Sequence, residues 1–202
     1  SRYFTVNTKE LLQRARDCLK IAVVYAGDKN DPNSVIERQL NSRDWKSYRL
    51  VTEDIADALE EEGFSDVVVL PENRHLGDTI SRSNIDLVWL NSGGVQGLNP
   101  MAHAPALLEM LGVPYIGHNP LAASLLDNKH VFKSMCIAAS LPTARSVVIN
   151  PSIEGCRPIE SDNFGSVFQG FSGPFVIKPV SGRASKNVYF VDSKREVGHA
   201  VE

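Results

Sequence analysis

The chain lacks an excess of either charge. Lys and Arg total 21 against 24 Asp and Glu, a formal net charge of -3 with neutral histidines. No overall basic field is therefore available to hold nucleic acid, and no nucleic-acid partner is expected. Cysteine is also scarce: Cys18, Cys136 and Cys156 are scattered, odd in number and without CxxC spacing. Such a set excludes a disulfide framework and a cysteine-rich zinc site, and reads as reduced, mostly buried thiols. A cytoplasmic location is the expectation. Long apolar runs are missing as well. None approaches the ~20 residues of a membrane helix, so no membrane partner is expected.

Other signatures are absent too. The start, SRYFTVNTKELLQRARDCLK, is polar and lacks the apolar core of a secretion signal. It has no initiator Met, for which processing or truncation is expected. His75, His103, His118, His130 and His199 show neither HExxH spacing nor triad order, and surface or packing roles are expected. Nothing matches the Walker pattern GxxxxGK[ST]. Trp45 and Trp89, the two tryptophans, read as core rather than stacking platforms.

What is present is a soluble-type composition, 43% hydrophobic and 22% charged over 202 residues. Domains usually run to ~100–150 residues, so the length suits one large or two small ones. KIAVVY (20–25) is a short β-branched apolar run expected as a buried strand, and DVVVL (66–70) and IDLVWL (85–90) are expected as further strands. Residues 45–62 are expected as a helix whose buried face carries Tyr48, Val51, Ile55, Ala58 and Leu59, capped by Gly63. Leu76 to Ser83 is expected as a short helix. Another is expected from Pro100–Met101, burying Leu107, Leu108 and Leu111 and ending at Gly112 before the strand VPYIG. This alternation predicts an α/β domain with a parallel sheet and functional loops beyond the strand carboxyl ends, at 27–31 and 91–97.

After Gly117 the pattern changes. Residues 119–140 are expected to be helical, with Asp127 or Asn128 capping a second helix that turns Val131, Phe132, Met135 and Cys136 inward. LPTARSVVI is expected to turn into a strand, and 161–168 into a short helix. Then comes GPFVIKPVSGRASKNVYFV (173–191): an apolar strand ending at Lys178, a loop of small and cationic residues, and a second apolar strand. A helix beginning at Asp192 should follow. An ammonium fixed at a strand end binds phosphate as a point charge, and small loop residues let phosphate oxygens approach backbone N–H groups. Arg183 and Lys186 add positive charge, and Lys129 falls in the first turn of an expected helix.

Three stretches in this order resemble the ATP-grasp superfamily, and the D-alanine–D-alanine ligases within it. They are KIAVVYAGD (20–28), LLEMLGVPYIGHNPLAASLLDNKHVFKSMCIAASLPTA (107–144) and GPFVIKPVSGRASKNV (173–188). The resemblance implies an N-terminal extension (1–18), a Rossmann-like pre-ATP-grasp domain with a parallel sheet (19–118), and the α+β central subdomain of an ATP-grasp fold (119–202). It implies a ligase that joins a carboxylate to an amine through an acyl phosphate, using ATP and Mg2+. By motif, Lys129 and Lys178 would contact ATP phosphates, and Ala184, Ser185 and Lys186 would lie in the loop that covers them. Ser185 keeps the second serine of the family loop, whereas Ala184 stands where the first serine is found. Asp31 takes the place of a glutamate that holds the substrate ammonium, one methylene shorter. Asn91 and Val95-Gln96-Gly97 stand where the ligases carry a histidine and a Glu-Asp-Gly.

The partners implied are ATP and a small amino-acid or carboxylate substrate, with a homodimer formed through the first domain. Metal ligands are expected beyond residue 202, so the chain is expected to be a fragment that is inactive alone. Two alternatives stay open: an ATP-grasp ligase for a different amino acid or carboxylate, and a non-catalytic nucleotide-binding or regulatory homologue.

Overall fold

KIAVVY forms the innermost strand, as its unbroken apolar run requires. Ile21 to Tyr25 are each 6% exposed or less, the mark of a strand covered on both faces of a parallel sheet. The computed structural model describes residues 7–28, 30–34, 46–95, 97–150, 160–182, 185 and 187–201. It divides into two compact units, Ser1–Ser124 and Leu125–Glu202.

In the first unit, β1 (Lys20–Tyr25) pairs in parallel with both β2 (Asp66–Pro71) and β3 (Leu87–Asn91). The short β4 (Tyr115–Ile116) joins β3 in parallel, giving the order β2-β1-β3-β4. Val23 lies opposite Val69 on one side and Trp89 on the other. Parallel neighbours need crossovers. These carry α2 (Arg49–Glu61) between β1 and β2, α3 (Leu76–Arg82) between β2 and β3, and α4 (His103–Leu111) between β3 and β4. A further helix, α1 (Thr8–Cys18), precedes β1, and Asn7 caps it by accepting a hydrogen bond from Lys9 N. The core beneath the sheet is aliphatic: Ala22, Val24, Leu76, Ile80, Ile85, Val88, Ala104 and Leu108 are buried together. Each Val, Leu or Ile so buried contributes roughly 1.5–3 kcal/mol relative to exposure. The chain leaves β1 toward β2 on one side and returns to β3 on the other. The sheet's switch point is therefore at the carboxyl ends of β1 and β3, where open α/β sheets place ligands.

The second unit starts within α5 (Pro120–Asp127) and continues in α6 (Lys129–Ala138). Asn128 caps α6, its side-chain oxygen accepting from His130 N and Val131 N. Then come α7 (Asp162–Val167), β5 (Phe175–Ile177), β6 (Tyr189–Val191) and α8 (Lys194–Val201). Strands β5 and β6 pair antiparallel, with Phe175 opposite Val191 and Ile177 opposite Tyr189. This core is aromatic. The Phe175 ring lies 5.9, 5.3 and 5.2 Å from those of Phe164, Phe168 and Phe171.

Several details depart from the pattern read in the sequence. The buried positions of α2 are Thr52 and Ala56, while Val51 and Ala58 are exposed. Small residues face the sheet because α2 packs on both β1 and β2, and the larger side chains flank that contact. Leu111, at the end of α4, is exposed. On α6, Phe132 and Met135 are 44% and 46% exposed rather than turned inward. No strand forms over 141–150. The last helix starts at Lys194, and Asp192 N instead donates to the Glu196 carboxylate. Cys18 is exposed and Cys136 half-buried, against the expectation of buried thiols; Cys156 and Trp45 lie outside the described residues. Among the described residues no helix is long and apolar enough to cross a membrane.

Candidate functional site

At the switch point of the first unit, the turn after β1 is held tightly. Gly27 adopts φ +29, and a Cβ there would fall 2.9 Å from the Glu72 carbonyl oxygen, so the close approach requires glycine. Asp28 follows. Its Oδ1 accepts from Ser47 Oγ at 2.9 Å, and its Oδ2 accepts from the Tyr25 hydroxyl at 3.3 Å and pairs with Arg49 Nη1 at 3.5 Å. Burial first, then the negative charge of Asp28, pushes the Tyr25 phenol above its ordinary pKa. The Arg49 guanidinium is held further toward its charged form, chiefly by its hydrogen bond to Glu53.

Asp31 closes the next turn. Its Oδ1 accepts from Asn33 N at 2.8 Å, its Oδ2 from Asn73 Nδ2 at 3.4 Å, and its carbonyl from Ser34 N at 2.9 Å. Both carboxylate oxygens thus have a bond within the unit. Directly after β2 stands Glu72, only 7% exposed, which accepts a hydrogen bond from Ser92 Oγ in the loop beyond β3. Ser92 Oγ also accepts from Gly94 N at 3.1 Å. At Gly94, φ +76, a Cβ would lie 2.4 Å from the Pro100 carbonyl carbon, so this loop too depends on glycine. Asn91 Nδ2 donates to Thr52 Oγ1 at 2.8 Å. Val95 is buried, and Gln96 lies outside the described residues.

The second unit brings together the start of α6 and the exit from β5. Lys129 N donates to the Val180 carbonyl at 2.9 Å. Its Nζ lies 3.5 Å from the same oxygen and 3.2 Å from the Gly182 carbonyl. One residue earlier than the cap, Asp127 accepts from Ser181 Oγ at 2.5 Å. Lys178, between strand β5 and this stem, is exposed and makes no hydrogen bond or ion pair among the described residues. Of the expected loop residues, Ser185 is exposed at φ 55, and Asn187 has φ 56. Asn tolerates that left-handed region better than most residues. Arg183, Ala184 and Lys186 lie outside the described residues.

Lys129, Lys178, Asp31 and Ser185 are the residues expected from the sequence; Glu72, Ser92 and the Asp127–Ser181 bond were not expected. Glu72 had a usable signal, since it immediately follows a strand carboxyl end. The described residues contain no group of three or more His, Cys, Asp or Glu placed to hold a metal ion. The magnesium that the resemblance implies has no such ligand group among them.

No family model matches the chain. Among curated proteins it is 29% identical over 149 residues to the D-alanine–D-alanine ligase of Carboxydothermus hydrogenoformans, covering 72% of this chain and 45% of that one. It is 30% identical over 145 residues to that of Geobacter sulfurreducens, covering 72% and 42%. The chain therefore spans less than half the length of these two relatives. In fold it is similar to the crystal structure of D-alanine–D-alanine ligase from Bacillus anthracis in complex with ATP, with a TM-score of 0.61, 23% identity, and 89% of this chain and 52% of that one covered. Over the part matched, the chain is a D-alanine–D-alanine ligase-like protein with the α/β architecture of the ATP-grasp ligases.

Proposed function

We propose that this chain belongs to an ATP-dependent carboxylate–amine ligase of D-alanine–D-alanine ligase type, in which residues 125–202 serve the nucleotide and the first unit serves the substrate. In the reaction, a substrate carboxylate oxygen attacks the γ-phosphorus of ATP. The bond to the bridging oxygen breaks, giving an acyl phosphate and ADP. An amine then attacks the acyl carbon, loses a proton, and expels phosphate as the amide forms. Negative charge spreads over the transferred phosphoryl group, so fixed cations and N–H donors are the help it needs.

One observation carries this reading. Lys129 is bonded through both its backbone and its ammonium to the chain just past Lys178. Two lysines from separate elements thereby converge on one loop stem, and Lys178 has an ammonium left exposed for phosphate oxygens. In this reading Ser185, Ala184 and Lys186 belong to the loop over the phosphates, and Asp31 faces the substrate ammonium. Magnesium would supply charge neutralisation of the phosphates.

The test is calorimetric titration with Mg·ATP. Lys178→Ala is expected to weaken binding at least about tenfold, the loss of a charge-assisted phosphate contact. Equal affinity would remove Lys178 from the nucleotide site. A second reading, a ligase for another amino acid or carboxylate, is favoured by Ala184 and by Asn91. Ala184 lacks a hydroxyl, and Asn91 spends its amide on Thr52. ADP release by the full-length protein, measured across a panel of amino acids, separates the two. Release with D-alanine alone supports the strict dipeptide ligase. Nucleotide binding without release on any substrate supports a non-catalytic homologue.

A further inference from the structure

We infer that Asp127 and Ser181 form a positioning pair that sets where Lys129 presents its ammonium. The inference rests on reading Lys129 as a phosphate lysine. Asp127 is the last residue of α5 and is 7% exposed. A carboxylate so buried is costly unless it is bonded. Ser181 supplies one such bond, Oγ to Oδ2 at 2.5 Å, across 54 residues of sequence. Two residues along the chain, Lys129 N donates to the Val180 carbonyl at 2.9 Å. Adjacent residues of the loop stem are thus fastened to residues at the α5–α6 junction. Asn128 between them caps α6, so this junction has little freedom of its own.

The consequence falls on the ammonium. Lys129 Nζ lies within reach of the Val180 and Gly182 carbonyls, the residues on either side of Ser181. A long, flexible side chain is therefore held by acceptors whose place depends on the Ser181–Asp127 bond. The stem continues from β5, whose Phe175 is packed in the aromatic core, so the acceptors are anchored at that end too. Releasing Ser181 frees the carbonyls that orient Lys129, without removing any charge from the lysine. Ser181 and Asp127 touch no nucleotide in this account; they act through Lys129.

Two measurements test the pair on the full-length protein. The first is amide hydrogen exchange at Lys129 N–H without nucleotide. Ser181→Ala is expected to speed it about tenfold, through easier local opening, with Ser181→Thr restoring protection and amides of β5 unchanged. Equal exchange in Ser181→Ala and the parent overturns the pair. Acceleration throughout β5 as well, unrescued by Thr, overturns the local role in favour of general loosening. The second is Mg·ATP affinity. Ser181→Ala is expected to weaken it about threefold alone and to have no effect in a Lys129→Ala background, since residues acting through one group are not additive. Additive losses overturn the route through Lys129. If the full-length protein binds no Mg·ATP while exchange at Lys129 still responds to Ser181→Ala, the nucleotide reading fails and the positioning contact stands.

Discussion

The two units differ in the charged groups they present at their strand ends. In the first, the carboxylates at the strand carboxyl ends are engaged. Asp28 meets Ser47, Tyr25 and Arg49; Asp31 closes a turn; Glu72 takes Ser92. In the second, Lys178 is exposed and its neighbour Lys129 rests on backbone carbonyls. A carboxylate bonded on both oxygens holds loops together, and it must exchange a bond before it can hold a ligand. An exposed ammonium on a strand end pays no such exchange. The second unit thus presents an exposed cation, and the carboxylates of the first are arranged first for its own loops.

The sharpest way to break this comparison is through the cores. Phe175→Ala removes a ring at the centre of the aromatic cluster, with an expected cost of about 3–5 kcal/mol, while Leu108→Ala in the aliphatic core costs about 2–5 kcal/mol. The expected split is functional. Phe175→Ala should abolish Mg·ATP binding and amide protection in β5 and β6. Leu108→Ala should lower the denaturation midpoint and leave nucleotide affinity within about twofold. Loss of nucleotide binding in Leu108→Ala would show that the first unit is needed for the nucleotide, contrary to the proposed division of roles.

Physical reasons separate what could be read from the sequence and what could not. β1 was legible because a strand buried on both faces is a continuous apolar run, and the half-buried β2 and β3 were legible from their β-branched apolar content. The buried face of α2 was misread because helical periodicity favours large apolar residues, whereas close packing on a sheet selects Thr52 and Ala56. Over 141–150, LPTARSVVI has the β-branched content of a strand, yet none forms there. Propensity without a ladder partner does not make a strand. At the candidate site, Lys129 and Lys178 were singled out through the resemblance, since a lysine after a strand is by itself an ordinary solvated exit. The Ser181–Asp127 bond was invisible, because its partners are far apart in sequence and neither is an unusual residue where it stands. Glu72 follows Pro71 and looks like a solvated strand end; only the fold covers it with the loop carrying Ser92.

A smaller effect is expected at that cover. Ser92→Ala removes one donor from the buried Glu72 carboxylate and one acceptor from Gly94 N. A hydrogen bond to a charged group contributes about 1.5–3 kcal/mol, so the loss should be about 1–3 kcal/mol in urea unfolding. Ser92→Thr, which keeps the hydroxyl, should recover most of it. If Ser92→Ala is neutral, the loop beyond β3 is held by other contacts, and the contrast between the two units narrows.

The smallest expected effect is a pH dependence confined to the first unit. Tyr25 has a raised pKa, from burial first and the charge of Asp28 second, opposed by Arg49. Folded protein therefore keeps this phenolic proton to a higher pH than the unfolded chain, whose tyrosines titrate near ~10. Between the two values the folded state binds more protons, so stability falls as pH rises. The contribution is complete below the unfolded value and is lost as pH climbs through the folded one. Tyr25→Phe removes this titration together with the bond to Asp28. It should lower stability slightly at neutral pH and make the alkaline decline shallower, read from urea midpoints on both sides of the unfolded value. Tyr115, also raised by burial and then by its hydrogen bond to Glu109, is untouched by the substitution and supplies an unchanged alkaline component. Parallel alkaline declines in the parent and Tyr25→Phe would mean that Tyr25 ionises no differently when folded. The charge of Asp28 would then be spent on Arg49 and Ser47 alone, and the loop after β1 would be held by Asp28 without the help of the strand it leaves.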